Sequence, residues 1–314
     1  MPDGLQTAIV AEGLTKSFPG VRAVDHLSFD VRSREIFGLV GPDGAGKTTT
    51  LRMLAGILPP DEGRATVAGA DVVRQPEAAK HSLSYMPQRF GLYEDLTVDE
   101  NIRFYADLFG VKKDERERRS TELLHAAGMS EFRKRLAGKL SGGMKQKLGL
   151  VCALIHRPKV ILLDEPTTGV DPVSRRDFWR ILYELIAQGV AILTSTAYLD
   201  EAERCHRVAL LHQGKLLFCD TPANLKSKLG KTVLSIPSPE PRRVRNELEG
   251  AQGISSLMLT GDGIHVVVDD AKRILEFEAR LKSAKVPFES MNQVTPSIED
   301  LFVDAVSSGA SRNA

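Results

Sequence analysis

Short apolar runs separated by glycine and aspartate turns open the chain. Such runs are typical of β-strands, and we expect a small, mostly antiparallel sheet here. The predicted strands are residues 9–14, 27–31 and 65–68. Between the second and third of them, a continuous apolar run from Ile36 to Val40 precedes a glycine-rich segment. A helical pattern then extends from Thr48 to Leu58, where Pro59 and Pro60 follow.

The pattern changes to helix at Thr97. Thr97 and Glu100 have the spacing of a capping box, and helical periodicity continues to about Ile155. Apolar runs then alternate with one amphipathic helix, which indicates a parallel sheet buried on both faces. The predicted elements are a strand at 160–163, a helix at 174–188 and a strand at 191–195. A helical subdomain of about residues 97–155 therefore interrupts an α/β core.

A second domain is predicted near the carboxyl end of the chain. A hairpin around Gly214 and a helix that ends at Gly230 precede it, and we place the boundary near Lys231. The order that follows is strand, helix, strand, strand, helix, strand, which is ferredoxin-like. The elements are 233–236, 241–248, 254–260, 264–268, 271–284 and 287–293, followed by a last helix from Ser297 and a polar tail at 307–314. The predicted domains are thus residues 1–230 and 231–306.

Composition narrows the class of protein. A length of 314 residues fits two domains. The 42 basic and 41 acidic residues are interspersed and give a formal charge of +1, so no global field favours nucleic acid, and we expect no nucleic-acid partner. Three cysteines fit a reducing compartment better than a disulfide framework. Residues 1–10 lack the pattern of a signal peptide, and the apolar runs fall short of the ~18 residues of a membrane helix.

The segment Gly41–Thr48 has the composition of a phosphate-binding loop. Its glycines let backbone N–H groups turn inward, and the helix that follows adds the positive end of its dipole. Lys47 then reaches the β- and γ-phosphates of a nucleotide, and the Thr48 hydroxyl binds Mg²⁺. The candidate nucleotide-binding residues here are Gly41, Pro42, Asp43, Gly44, Ala45, Gly46, Lys47, Thr48 and Thr49.

Two further segments have compatible chemistry. The strand Val160 to Leu163 ends in Asp164 and Glu165; Asp164 can bind Mg²⁺, and Glu165 can polarise the attacking water. Ser141, Gly142 and Gly143 open another helix and offer free N–H groups to an anion.

With Leu-Ser-Gly-Gly-Met-Lys-Gln at 140–146 upstream of Asp164 and Glu165, the chain resembles the nucleotide-binding subunits of ATP-binding-cassette (ABC) transporters from about Ala8 to Leu229. The resemblance implies an α/β P-loop cassette with a mixed or parallel sheet, an antiparallel β subdomain and a helical subdomain, to which the α+β ferredoxin-like domain is added. It implies ATP and Mg²⁺ as ligands. By the same resemblance Phe18 stacks on adenine, Gln88 senses Mg²⁺ and water, and Asp171 contacts the opposite subunit.

The family also implies partners. Two subunits pair head to tail, so that ATP on Lys47 of one chain meets Ser141, Gly142 and Gly143 of the other. A membrane permease docks near the glutamine loop, here Arg89 to Leu96 with Phe90, Leu92 and Tyr93, unless those side chains belong to the core. Residues 295–302 resemble the tail of ATPases that serve ABC-2 type exporters, including drug-resistance and polysaccharide systems. That subfamily implies a location on the cytoplasmic face of the inner membrane.

One position departs from the family. In Ser195-Thr196-Ala197-Tyr198, Ala197 stands where these proteins have a histidine that bridges the γ-phosphate and the catalytic carboxylate. If this equals the removal of one transition-state donor, hydrolysis slows by about 10²–10³. A partner subunit that has the histidine would keep one competent site.

Two other functions fit parts of the sequence. A soluble cassette ATPase acting on ribosomes or DNA usually has two cassettes or a long coiled coil, and neither occurs here. A weakly hydrolysing nucleotide-binding regulator is compatible with Ala197. The sequence does not indicate the transported substrate, because specificity lies in another polypeptide.

Overall fold

The computed structural model describes residues 6–307 and 309, which form three β-sheets and the helices around them. Contacts divide the chain into two compact units, Met1–Leu216 and Leu217–Ala314. Two expectations fall partly outside these residues. Residues 1–5 of the segment tested for a signal peptide, and residues 308 and 310–314 of the polar tail, are not among those described.

The strands and helices up to the division give an α/β cassette. The strands are β1 (Thr7–Phe18), β2 (Val21–Arg32), β3 (Ile36–Val40), β4 (Glu62–Val67), β5 (Ala70–Asp71), β6 (Leu83–Met86), β7 (Val160–Asp164), β8 (Ala191–Thr196), β9 (Arg207–His212) and β10 (Lys215–Asp220). The helices are α1 (Lys47–Leu54), α2 (Pro76–Ser82), α3 (Val98–Leu108), α4 (Lys113–Ala126), α5 (Gly142–Leu154), α6 (Pro172–Ala187) and α7 (Leu199–Ala202).

Two sheets build this unit. The first has the order β2-β1-β4-β5 with antiparallel pairing, as the early turn pattern predicts. The second has the order β10-β9-β3-β8-β7-β6, and its pairs from β9 to β6 are parallel. Every residue of β3, β7 and β8 is buried, which explains their continuous apolar sequences.

Register brings the carboxyl ends of the central strands to one edge. Val40 pairs with Thr196, and Asp164 pairs with Ser195. The loops that follow β3, β7 and β8 therefore meet at this edge, which is where parallel α/β sheets bind ligands.

The helix after the glycine-rich loop is shorter than predicted. It ends at Leu54 rather than Leu58, because Gly56 adopts a left-handed conformation with φ 66°. The N–H of Gly56 donates to the Met53 carbonyl at 3.0 Å, and the N–H of Ile57 donates to the Arg52 carbonyl at 3.0 Å. These two bonds form a Schellman motif, so a glycine cap ends the helix before the prolines do.

The helical subdomain contains α3, α4 and α5 with two 3₁₀ turns, Ser130–Phe132 and Ala137–Lys139. The predicted capping box is present, since Thr97 and Glu100 bond each other's backbone N–H groups. Across the described residues, every helix is too short or too polar to span a lipid bilayer.

The second unit begins earlier than the predicted boundary at Lys231. The division falls inside β10, and α8 (Pro222–Ser227) packs on the last helix of the second unit. Beyond it lie β11 (Thr232–Pro237), α9 (Pro241–Leu248), β12 (Ile254–Leu259), β13 (Gly263–Val268), α10 (Ile274–Ser283), β14 (Asn292–Val294) and α11 (Ile298–Ser307).

The element order of this unit is the predicted one. Its sheet is antiparallel with the order β12-β13-β11-β14. Helices α9 and α10 share an apolar core with one face of the sheet, while α11 contacts β12 and β13. The last strand is only three residues long rather than 287–293. The helix predicted from residue 271 starts as a 3₁₀ turn, Ala271–Arg273.

Candidate nucleotide site

The loop between β3 and α1 requires glycine at several positions. Gly44 and Gly46 have φ values of 77° and 99°, a region that side chains disfavour. A Cβ atom on Gly41 would overlap the Leu211 carbonyl oxygen, and one on Gly46 would overlap the Ala23 carbonyl oxygen. The tight packing of this loop therefore excludes larger residues.

Lys47 is the first residue of α1 and is buried. Its Nζ donates to the carbonyl oxygens of Gly41 at 2.8 Å and Pro42 at 3.1 Å. The same Nζ lies 3.2 Å from Oε1 of Glu165. The ammonium group is thus held between the loop and the carboxylate that follows β7.

Asp164, the last residue of β7, is also buried. Its Oδ1 accepts hydrogen bonds from Thr48 Oγ1 at 3.0 Å and from Ser195 Oγ at 2.8 Å. Its Oδ2 accepts one from the Tyr85 hydroxyl at 3.2 Å. Burial, followed by the charge of Asp164, raises the pKa of Tyr85 to about 12, so Tyr85 stays a proton donor at neutral pH. Three elements therefore orient this carboxylate.

Glu165 has an unusual backbone. Its φ is 48°, and its N–H donates to Oγ and O of Ser195 at 3.0 and 3.2 Å. Its Oε2 accepts a hydrogen bond from Gln88 Nε2 at 3.1 Å. The side chain therefore lies between Lys47 and Gln88.

Five of the residues predicted from the sequence lie together here, and two further residues join them. Lys47, Thr48, Asp164, Glu165 and Gln88 form one cluster, whereas the roles of Tyr85 and Ser195 were not foreseen. A signal was available, because Tyr85 precedes Gln88 at the end of β6, and Ser195 lies at the end of β8, next to Asp164 in the sheet. The remaining predicted residues of this region are Pro42, Asp43, Ala45 and Thr49, which lie in the loop and the first turn of α1.

Ser141 and Asp171 begin neighbouring helices. Ser141 Oγ accepts from the Met144 N–H at 3.3 Å and caps α5. Oδ1 of Asp171 accepts from the N–H groups of Ser174 at 2.9 Å and Val173 at 3.1 Å, which holds the pKa of Asp171 below its usual value.

A close contact joins the two helix starts. Gly143 lies so close to Ser174 that a Cβ atom would approach the serine side chain to 2.5 Å. Ser141 and Gly142 are exposed, so the amino end of α5 faces solvent in this chain.

Phe18 lies at the end of β1 and exposes 43% of its surface. It pairs with Val21 across the turn to β2. Two residues further on, the Ala23 carbonyl packs against Gly46. The exposed ring therefore belongs to the strand pair that flanks the glycine-rich loop.

Ala197 is exposed directly after β8. The histidine that follows it most closely in sequence, His206, accepts a hydrogen bond from the Ile36 N–H at 3.2 Å. Ile36 is the first residue of β3, whereas the glycine-rich loop follows Val40, the last residue of β3. The two ends of this strand are on the order of 13 Å apart. His206 thus lies at the wrong end of the strand to replace the missing side chain.

Comparisons with known proteins agree with this geometry. The family model described as ABC transporter matches residues 24–168. The Nod factor export ATP-binding protein I of Paraburkholderia xenovorans is 38% identical over 279 residues, which cover 88% of this chain and 90% of that protein. The chain belongs to the ATP-binding subunits of ABC transporters.

Other relatives of this ABC subunit have related names. The probable multidrug ABC transporter ATP-binding protein YbhF of Escherichia coli is 44% identical over 94% of this chain, and the chain spans 51% of its length. The daunorubicin resistance ATP-binding protein DrrA2 of Streptomyces coeruleorubidus is 35% identical over 94% of both chains.

Solved structures also resemble the ABC subunit. An ATP-binding subunit of an ABC transporter is 31% identical with a TM-score of 0.65, and the match covers 71% of this chain and 94% of that one. A nucleotide-free ATP-binding cassette is 25% identical with a TM-score of 0.64, and the match covers 72% of this chain and 96% of that one.

Proposed function

We propose that this chain binds MgATP and hydrolyses it to power an ABC-2 type exporter. One observation supports the proposal above all: Lys47, Thr48, Asp164, Glu165 and Gln88 lie in a single hydrogen-bonded cluster where the central strands end. Phosphate transfer needs positioned cations and a positioned water rather than covalent chemistry from the protein. Lys47 is such a cation, and Glu165 and Gln88 are side chains that could position the water.

Each residue has a distinct task in this proposal. The loop N–H groups and Lys47 bind the β- and γ-phosphates, and Phe18 stacks on adenine. Glu165 accepts a proton from the attacking water and Gln88 orients that water. The 3.2 Å contact between Lys47 Nζ and Glu165 Oε1 supports these assignments, because it places the two side chains within reach of one bound phosphate and its attacking water.

The donor set fits Mg²⁺. Thr48 Oγ1 and Asp164 Oδ1 lie 3.0 Å apart, and Gln88, which bonds Glu165 next to Asp164, is the third proposed ligand. Among the described residues no group of three or more His, Cys, Asp or Glu side chains could hold a metal. Mg²⁺ is commonly bound by one or two carboxylates, waters and substrate phosphates. When bound, the ion neutralises phosphate charge; Thr48 and Asp164 would hold it.

The exposed start of α5 supports a composite site. The first N–H groups of a helix lack internal partners and attract anions, and Ser141 and Gly142 leave this helix end open to solvent. We propose that Ser141, Gly142 and Gly143 of one subunit bind the γ-phosphate held by Lys47 of a second subunit, while Asp171 contacts that subunit. ATP then favours the closed dimer by mass action, and hydrolysis releases it.

A permease is the second proposed partner, with the chain peripheral on the cytoplasmic face of the inner membrane. Within Arg89 to Leu96, Tyr93 is 47% exposed, and its ring contacts Phe104 edge-on. Phe90 instead packs against Tyr105 and Gly149. Tyr93 is therefore the better candidate contact of the two, and Phe90 is a packing residue.

The test compares the unaltered protein with Glu165→Gln. Because Gln keeps the shape but cannot accept the proton, ATP turnover is expected to fall by about 10²–10⁴, while ATP binding persists. Single-turnover phosphate release and nucleotide binding measure the two effects. Equal, negligible turnover in both proteins would instead favour a nucleotide-binding regulator, a second candidate that the small, exposed Ala197 keeps open.

A further inference from the structure

A buried carboxylate lies behind the proposed nucleotide site. Glu201 is on the short helix α7 and is almost completely buried. Its Oε1 accepts a hydrogen bond from Thr167 Oγ1 at 2.6 Å, and its Oε2 accepts one from Thr196 Oγ1 at 2.8 Å. Burial of an anion is costly unless it is bonded, so these bonds hold both threonines firmly.

Two further groups complete the surroundings of this carboxylate. Trp179 Nε1 donates to Oε1 at 3.4 Å, and Arg175 Nε lies 3.7 Å from the same oxygen. The Arg175 guanidinium also stacks over Tyr198 and lies 3.8 Å from the exposed Asp200. The charge of Glu201 is therefore balanced from α6, and its two oxygens remain bonded to the threonines.

The two threonines belong to the segments that carry the reacting groups. Thr167 lies two residues after Glu165. Thr196 follows Ser195, which accepts the Glu165 N–H, and Thr196 Oγ1 also accepts the N–H of Tyr198 at 3.0 Å. The covalent chain and the hydrogen bonds together form a closed ring through Glu165, Thr167, Glu201, Thr196 and Ser195.

One member of this ring, Glu165, has a strained backbone. Glu165 has φ 48°, and Pro166 follows it, although residues before proline favour extended conformations. Such strain persists only where the surroundings over-determine the backbone. The ring supplies this constraint, because it fixes the chain on both sides of Glu165.

We propose that Glu201 is a positioning residue, which clamps the backbone of Glu165 through Thr167 and Thr196. The inference rests on the proposed ATPase function. It also explains how the Glu165 carboxylate is oriented in a chain in which Ala197 has no hydrogen-bonding group that could orient it.

The experiment uses Thr167→Val, which removes one hydroxyl of the ring at similar size, and Glu201→Gln. Each is expected to lower the turnover number about tenfold, in the range of other residues that support a site, with the ATP dissociation constant within about twofold of the unaltered value. The double variant is expected to be no slower than the worse single one, because both break the same link. Thr167→Ser, which restores the hydroxyl, is expected to recover most of the turnover.

Amide hydrogen exchange gives a readout independent of activity. The Glu165 amide is expected to exchange faster in Thr167→Val and Glu201→Gln, and not in Asp200→Asn, the matched control that removes an exposed charge next to Glu201. Thermal unfolding identifies any variant that fails to fold, in which case Thr167→Val alone decides.

Three outcomes are distinguishable. If folded Thr167→Val shows unchanged turnover and unchanged exchange of the Glu165 amide, Glu201 does not position Glu165. The same conclusion follows if the loss of turnover is fully matched by a loss of ATP binding. Equal turnover of the unaltered protein and Glu165→Gln would refute the ATPase function, whereas exchange at Glu165 would still support or overturn the clamp.

Discussion

At the level of single residues, the proposed base is positioned from several sides. Lys47 and Glu165 lie 3.2 Å apart with side-chain exposures of 4% and 13%, so water screens their attraction less than at the surface. Gln88 holds the carboxylate, and Ser195 holds the Glu165 backbone. Ala197 has no polar group, so position 197 adds no hydrogen bond to this arrangement.

Ala197→His should therefore accelerate hydrolysis. The imidazole would add a donor at the γ-phosphate, and one such donor is worth about 10²–10³ in turnover. Phosphate release under single-turnover conditions measures the change, with Ala197→Asn as the control for a polar side chain of another shape. Equal turnover in Ala197→His and the unaltered protein would contradict the proposed cause of slow hydrolysis.

The residues that were predicted from sequence share a property. Lys47, Thr48 and Asp164 belong to short local patterns whose spacing carries their chemistry. Tyr85 and Glu201 do not, because Tyr85 meets Asp164, and Glu201 meets Thr167, only through strand register or the return of α7 onto the sheet. A buried glutamate between alanine and aspartate has no local signature.

At the level of elements, the contact between α5 and α6 fixes the start of α5, which Ser141 caps. Gly143→Ala should destabilise the fold by about 1–3 kcal/mol, because its Cβ atom would press on Ser174 at 2.5 Å. Gly142→Ala is the matched control, since no atom lies within 4 Å of its Cβ position. Urea unfolding measures both.

Gly142→Ala should nevertheless lower ATP-dependent dimerisation, because Gly142 is proposed to face the partner's phosphate. Equal unfolding free energies for the two variants would show that the helices separate easily at this point, contrary to the packing described.

We expect the stability of helix α11 to depend on pH through one buried pair. His265 Nδ1 lies 3.0 Å from Oδ1 of the fully buried Asp300, and this bond, with the charges of Asp300, Asp262 and Glu299, raises the pKa of His265 against desolvation. Burial alone would raise the pKa of Asp300. The hydrogen bonds from His265 and Ser297 together lower the pKa by a larger amount, so the net change is a decrease.

Because folding raises the pKa of His265, the stability contributed by its bond to Asp300 is complete below about pH 6.5. It is lost as the pH rises through the folded-state value. We expect α11 to lose about 1 kcal/mol of protection, measured as hydrogen exchange of its amides corrected for the intrinsic rate. His265→Asn should remove this dependence; an unchanged pH profile in that variant would exclude the pair as its source.

The order of elements was predictable for most of the chain, but β5, α2, β6 and α7 were not predicted, and neither were several element ends. Buried parallel strands and the βαββαβ order follow from apolar periodicity. The end of α1 depends on the left-handed Gly56. The division inside β10 depends on α8 packing against α11, a contact between segments far apart in sequence.

At the level of the whole molecule, the proposed composite site requires two copies or two related subunits. The cluster around Lys47 and the capped start of α5 are both proposed to bind phosphate, and each uses groups that the other lacks. The relatives include export and resistance ATP-binding proteins.

Crosslinking of the ATP-loaded Glu165→Gln protein tests this arrangement most directly. One tagged chain carries Asp43→Cys and a second carries Ser141→Cys, both with Cys219→Ser, since Cys152 and Cys205 are buried. With MgATP and a short bifunctional maleimide, the account predicts crosslinks between the two kinds of chain and few between chains of one kind. Crosslinks that join position 43 to 43, or 141 to 141, with none between the two positions, would contradict a nucleotide held between the glycine-rich loop of one subunit and the serine-capped helix of the other.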